Sequence, residues 1–135
     1  MYLLDTVVVS EMRKRVRHPS VIAWFGSISP RTIHVSVLTI AEIEYGIERR
    51  RSVDSAFASM LGDWLQVVLL TFGDRTLPIT TPIARIWGRL AKGSGRLDAD
   101  GGIAATAIAH DLTVVTRNVR HFDGTGAKIL NPFEG

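Results

Sequence analysis

Apolar positions fall in short clusters parted by polar turns, and their spacing changes along the chain. Tyr2-Leu3-Leu4 is an apolar run ending on Asp5, and Val7-Val8-Val9 continues the hydrophobic character beyond it. The run predicts a buried strand with Asp5 at its C-terminal end. Ser10 to Arg13 reads as a short helix or turn, His18-Pro19-Ser20 breaks the chain, and Val21 to Gly26 forms a small helix. Ile33, Val35 and Val37 alternate with polar neighbours, the period of a second strand. Thr39-Ile40-Ala41-Glu42 matches the S/T-x-x-E capping box and opens a helix through Ile43 and Ile47. Val53 to about Val68 carries Phe57, Met60, Leu61, Trp64 and Leu65 on one helical stripe, and Val67-Val68-Leu69-Leu70 is too short to assign by period. Thr76 to Ile79 is a brief strand that Pro78 confines to an edge.

Thr81-Pro82 starts the next helix, a cap followed by proline, and Gly93-Ser94-Gly95 stops it. Ile103, Ala104, Ala107 and Ile108 then mark one buried face of a helix of small residues, with Asp98 and Asp100 at its front. Leu112 to Thr116 and Lys128 to Leu130 are the closing strands. Strands alternating with helices predict a parallel sheet covered on both faces, an α/β fold. The 135 residues read as one domain with a substantial core.

Composition adds exclusions. The chain has no cysteine, which rules out disulfides and thiolate metal sites. The acid at Asp5 opposes a signal peptide, and no apolar run approaches the ~20 residues of a membrane span. A cytoplasmic protein without membrane contact is expected. Net charge is +3, much of it local: Arg13, Lys14, Arg15 and Arg17 form one cluster, Arg49, Arg50 and Arg51 another. Both are solvated helix ends or phosphate contacts.

In parallel sheets ligands bind beyond the carboxyl ends of the strands. Asp5 and Thr116-Arg117-Asn118 follow strands there, while Glu42 and Asp100 begin helices at the same rim. Each has a plain alternative. Asp5 could cap a turn, Glu42 could complete the capping box with Thr39, and Asn118 could be a turn residue. Asp98 reads as the helix cap, which leaves Asp100 at the second helical position. His18, His34, His110 and His121 lack ligand spacing and read as structural or surface residues. Together, three carboxylates in one pocket repel and call for a cation. Magnesium suits them, because it takes one or two carboxylates and keeps several waters. Hydrolysis of a phosphodiester follows from that chemistry. Arg13, Lys14, Arg15 and Arg117 are the candidates for gripping backbone phosphates.

Leu3-Leu4-Asp5-Thr6, Ser36 to Glu42, Ala99-Asp100-Gly101-Gly102-Ile103-Ala104-Ala105-Thr106-Ala107 and Val115-Thr116-Arg117-Asn118 together resemble a PIN domain. Within that family the pattern is similar to the VapC/FitB-like toxins of bacterial toxin–antitoxin pairs, over essentially the whole chain. The resemblance implies a three-layer sandwich with a central parallel sheet of four to five strands. It also implies a magnesium-dependent endoribonuclease, with manganese as a substitute, in which Asp5 and Asp100 are the principal metal ligands. Glu42 and Asn118 would complete the catalytic set, and Thr6, Thr116, Arg117 and Arg13 would lie along the substrate. The implied partners are RNA, a VapB/FitA-like antitoxin and a second copy of the chain, in a homodimer or a dimer of toxin–antitoxin heterodimers. Single-stranded loops of the RNA are the implied target. Val7 stands where many relatives carry asparagine or serine, and Asn118 is neutral where some carry aspartate, so one tight metal site is expected. Asp123 is the nearby acid that could substitute for Asn118. The other readings are a phosphoacceptor or phosphatase domain, a PIN-fold binding module without turnover, and a DNA-directed nuclease. Val7, two residues after Asp5, departs from the haloacid dehalogenase pattern. Trp24, Phe57 and Trp64 are partner contacts or core.

Overall fold

The computed structural model describes residues 1–134. Five strands, β1 (Tyr2–Leu4), β2 (Ile33–Ser36), β3 (Thr76–Leu77), β4 (Thr113–Val115) and β5 (Lys128–Leu130), form one sheet in the order β3-β2-β1-β4-β5. Every pairing is parallel. The helices are α1 (Thr6–Arg13), α2 (Pro19–Gly26), α3 (Val37–Arg51), α4 (Ser55–Phe72), α5 (Thr81–Ser94) and α6 (Ala99–His110). This is the expected α/β sandwich, with β1 at its centre.

Successive strand residues point to opposite faces, and β1 feeds two cores. Leu4 joins Val8, Val35, Ile47, Val68 and Val115 on one face, and Leu3 joins Ile103, Ala104, Ala107 and Val114 on the other. Small residues on α6 bring its backbone close to its neighbours. A Cβ at Gly102 would collide with Leu38 Cδ1, and one at Gly101 would lie 3.2 Å from the Trp87 indole.

Several boundaries differ from the sequence reading, each for a local reason. Val7-Val8-Val9 are helical, because Asp5 turns the chain at once and caps α1 by accepting from Thr6 N. Val37 opens α3 instead of ending β2, since Ser36 Oγ takes the Leu38 N–H at 3.0 Å. Thr39 and Glu42 therefore lie inside the helix and form no capping box. Helix α4 continues through Val67 to Phe72. The cap of α5 is Thr80, one residue earlier than expected, and β3 ends at Leu77, ahead of Pro78. β3 does lie at the sheet edge.

The expectation that no apolar run reaches membrane-spanning length is also corrected. Ser55–Arg75, 21 residues, is long and apolar enough by length and composition to cross a bilayer. Ala58, Leu65, Val68 and Phe72 turn inward, while Met60, Val67 and Leu70 are 51%, 58% and 84% exposed. An uncovered apolar stripe therefore runs along α4.

Candidate active site

The carboxyl end of β1 delivers Asp5 to a narrow seat between its neighbours. Asp5 N donates to Val115 O at 2.9 Å, continuing the β1–β4 ladder by one residue. The side chain is then held from both sides: Thr6 N donates to Oδ1 and Thr116 Oγ1 donates to Oδ2, both at 2.8 Å. Thr116 is fully buried and also accepts from Asn118 N at 2.9 Å. Asp5 itself is 5% exposed.

The second acid comes from α3. Glu42 Oε1 accepts from Thr6 Oγ1 at 2.6 Å, and Thr39 Oγ1 lies 3.1 Å from the same hydroxyl. Asp100 comes from the first turn of α6. Asp98 takes the cap there, its Oδ1 accepting from Gly101 N at 2.9 Å, which leaves Asp100 uncommitted to the helix. The Asp100 side chain, 31% exposed, faces His121, whose Nδ1 is 3.1 Å from Oδ2.

Burial raises the pKa of Asp5 above the ordinary aspartate value, against the lowering effect of its Thr116 and Thr6 hydrogen bonds. Desolvation also raises Glu42, and the charges of Asp5 and Asp100 push it further. Asp100 is raised by desolvation first and by Asp5 second, with His121 opposing. Burial thus makes all three carboxylates resist ionisation, and the charge of Asp5 adds to the effect at Glu42 and Asp100.

An ion would relieve that conflict. Among the described residues no three His, Asp or Glu side chains close into a finished metal cage. The donor set instead suits a hard cation that keeps much of its water. Each Asp5 oxygen accepts one hydrogen bond and retains a second lone pair. Asp100 is partly exposed on the same rim.

Residues 2–128 match the PIN domain family. The chain belongs to it. The PIN domain is 36% identical to VapC ribonuclease Y4jK of Sinorhizobium fredii, with 99% of each chain covered. It is 34% identical to Toxin FitB of Neisseria gonorrhoeae, covering 98% of this chain and 99% of FitB. The crystal structure of FitAcB from Neisseria gonorrhoeae superposes with a TM-score of 0.86 at 34% identity, covering both chains completely.

The PIN domain places the remaining expected site residues unevenly. Thr6 and Thr116 stand behind the carboxylates, their hydroxyls spent on Glu42 and Asp5. Arg13 does reach the rim. With Arg50 it covers the Phe57 ring, at 5.6 Å and 5.0 Å from the centroid, in a cleft that also holds Thr6, Glu42 and Trp64. Arg117 lies over Phe133 at 3.8 Å, and Lys14 is tied to buried Glu11 at 2.9 Å. Asn118 is exposed and lines a depression with Asn131, Glu134 and His121, the residue that faces Asp100. Asp123 instead shares a cavity with Asp98, Gly101 and His121. His121, read from sequence as structural or surface, is the residue that was missed. It reaches Asp100 from the 3-10 turn Val119–Phe122, and nothing in its spacing signals that tertiary contact.

Proposed function

We propose that this PIN domain is an endoribonuclease, the toxin of a bacterial toxin–antitoxin pair, acting in the cytoplasm with Mg²⁺ or, in its place, Mn²⁺. The observation that carries the reading is the convergence of Asp5, Glu42 and Asp100, each with a raised pKa, on one rim of the sheet. The ribonuclease and toxin names of full-length relatives support it.

Asp5 and Asp100 hold the ion, with Glu42 positioning a bound water. The ion when bound supplies an activated water and charge neutralisation at a phosphoryl oxygen. Thr6 N and Thr116 fix the rotamer of Asp5, so it needs no reorganisation as charge develops. The Thr6 hydroxyl fixes Glu42, and His121 orients Asp100. Arg13 and Arg50, held on Phe57, present guanidinium groups to phosphates approaching from the α3 side. A single strand can be splayed across such a rim, whereas a stacked duplex keeps its bases inside. A FitA- or VapB-like antitoxin neutralises the toxin, and the chain works as a homodimer or within a dimer of toxin–antitoxin heterodimers. The single domain spans residues 1–135, and Asn118 completes the set by binding a water.

The test is cleavage of single-stranded RNA by antitoxin-free protein, with Mg²⁺ and with chelator. Asp5→Asn and Asp100→Asn should each lower the rate by about 100-fold or more, the scale of losing a preorganised charge at the reacting centre, while circular dichroism is unchanged. A folded double variant as active as the wild type would overturn the assignment. Wild type that binds RNA without cutting it would favour the binding-module reading instead.

A further inference from the structure

Apart from the arginine cleft, with which it shares no lining residue, lies a cavity of about 210 Å³ between α5, the start of α6 and the 3-10 turn Val119–Phe122. Trp87 and Leu90 form its apolar wall, and Arg96, Asp98, His121 and Asp123 surround it. At about 30 Å³ per water, that space is the size of one planar heteroaromatic ring system.

Three features define what would fit. The indole is rigidly set: Trp87 Nε1 donates to Asp98 O at 2.9 Å, and the ring abuts Gly101 and Gly102, where no side chain intervenes. Such a fixed aromatic wall suits stacking of a flat base. The carboxylate of Asp123 repels a phosphate. Asp98 is neutralised by Arg96, whose Nε is 3.2 Å from Oδ2, but Asp123 has no ion-pair partner among the described residues. Finally, the cavity adjoins the acidic rim, because His121 both lines it and contacts Asp100.

We propose that this cavity is a nucleobase subsite, which takes a guanine next to the scissile phosphate, with Trp87 as its aromatic wall and Asp123 accepting the N1–H and N2–H donors. The proposal rests on the reading of the chain as a ribonuclease and names how that enzyme selects its RNA. The strand then crosses the carboxylates with its phosphates toward Arg13 and Arg50 and one base in the cavity. Guanine is favoured because it offers two adjacent N–H donors to one carboxylate. Uracil and cytosine stack less and pair with Asp123 through one donor at most.

The experiment follows the three indole N–H resonances of ¹⁵N-labelled protein, with the Trp87 peak assigned by Trp87→Phe. The additions, made without metal, are GMP, AMP, CMP, UMP or ribose 5-phosphate. GMP should move the Trp87 peak and leave those of Trp24 and Trp64 in place, and ribose 5-phosphate should move none. Asp123→Asn should weaken GMP by about tenfold or more, as loss of a charge-assisted pair does, with little effect on AMP. Ala91→Leu, which fills the cavity from α5, should abolish the response to every nucleotide. An unmoved Trp87 peak, or an equal response to ribose 5-phosphate, would overturn the subsite. Equal binding of GMP and UMP, or of GMP to wild type and Asp123→Asn, would overturn the role of Asp123. Mononucleotides contain no phosphodiester bond, so these outcomes are separate from RNA hydrolysis: a wild type that cuts RNA while its Trp87 peak ignores GMP overturns the subsite alone, and one that binds GMP and cuts no RNA overturns the ribonuclease reading alone.

Discussion

Thr6 serves two acids at once, its backbone N–H on Asp5 and its hydroxyl on Glu42. The carboxylates are thereby held close despite mutual repulsion, and the free protein bears the cost. All three acids have raised pKa values in the fold, so the unfolded chain releases their protons first. The favourable contribution is fully present below the ordinary carboxylate range, near pH 4, and is lost as pH rises through the folded values above it. Asp100→Asn should therefore raise the melting temperature of metal-free protein at pH 7 by a few degrees, the scale of about 1 kcal/mol, with the gain vanishing toward pH 4. Calorimetric scans from pH 4 to 8 check it, and Mg²⁺ should raise the wild type more than the variant. Asp5 and Asp100 were legible because a strand end and a helix start each announce themselves in sequence. His121 was not, because its partner is chosen by how a 3-10 turn folds back after β4.

At the scale of elements, the start of α3 shows how a local motif can mislead. Thr39 and Glu42 have the spacing of a capping box, yet Ser36 reaches the free N–H first and the helix begins at Val37. Both residues are thereby released, Thr39 to line the buried side of Thr6 and Glu42 to face Asp5. Ser36→Ala should cost about 1 kcal/mol, the usual loss of a cap, seen as a lower denaturation midpoint. Thr39→Ser, which keeps the hydroxyl, should lower activity less than Thr39→Val at similar stability. RNA cleavage and urea titration separate the two effects. The strand–helix alternation and the edge position of β3 were readable from period and proline. The Val7-Val8-Val9 helix was not, since three β-branched residues in a row look like strand until Asp5 caps them.

Across the whole molecule, burial is uneven. The sheet is covered on both faces, but α4 leaves Met60, Val67 and Leu70 in the open, the kind of patch that drives association. Val67→Asp with Leu70→Asp should reduce self-association of the isolated chain at high concentration and change stability little, as surface substitutions do. Light scattering coupled to size exclusion, beside a thermal melt, checks both. The sheet order has a different consequence, one that concerns synthesis. β1 is made first but sits at the centre, between β2 and a strand that begins at Thr113. Asp5 cannot be seated until Val115 and Thr116, far along the chain, have left the ribosome. A nascent chain therefore carries its first carboxylate through the synthesis of everything between Asp5 and Thr116 without a working site around it. Until that strand arrives, RNA beside the emerging chain meets no assembled acidic rim.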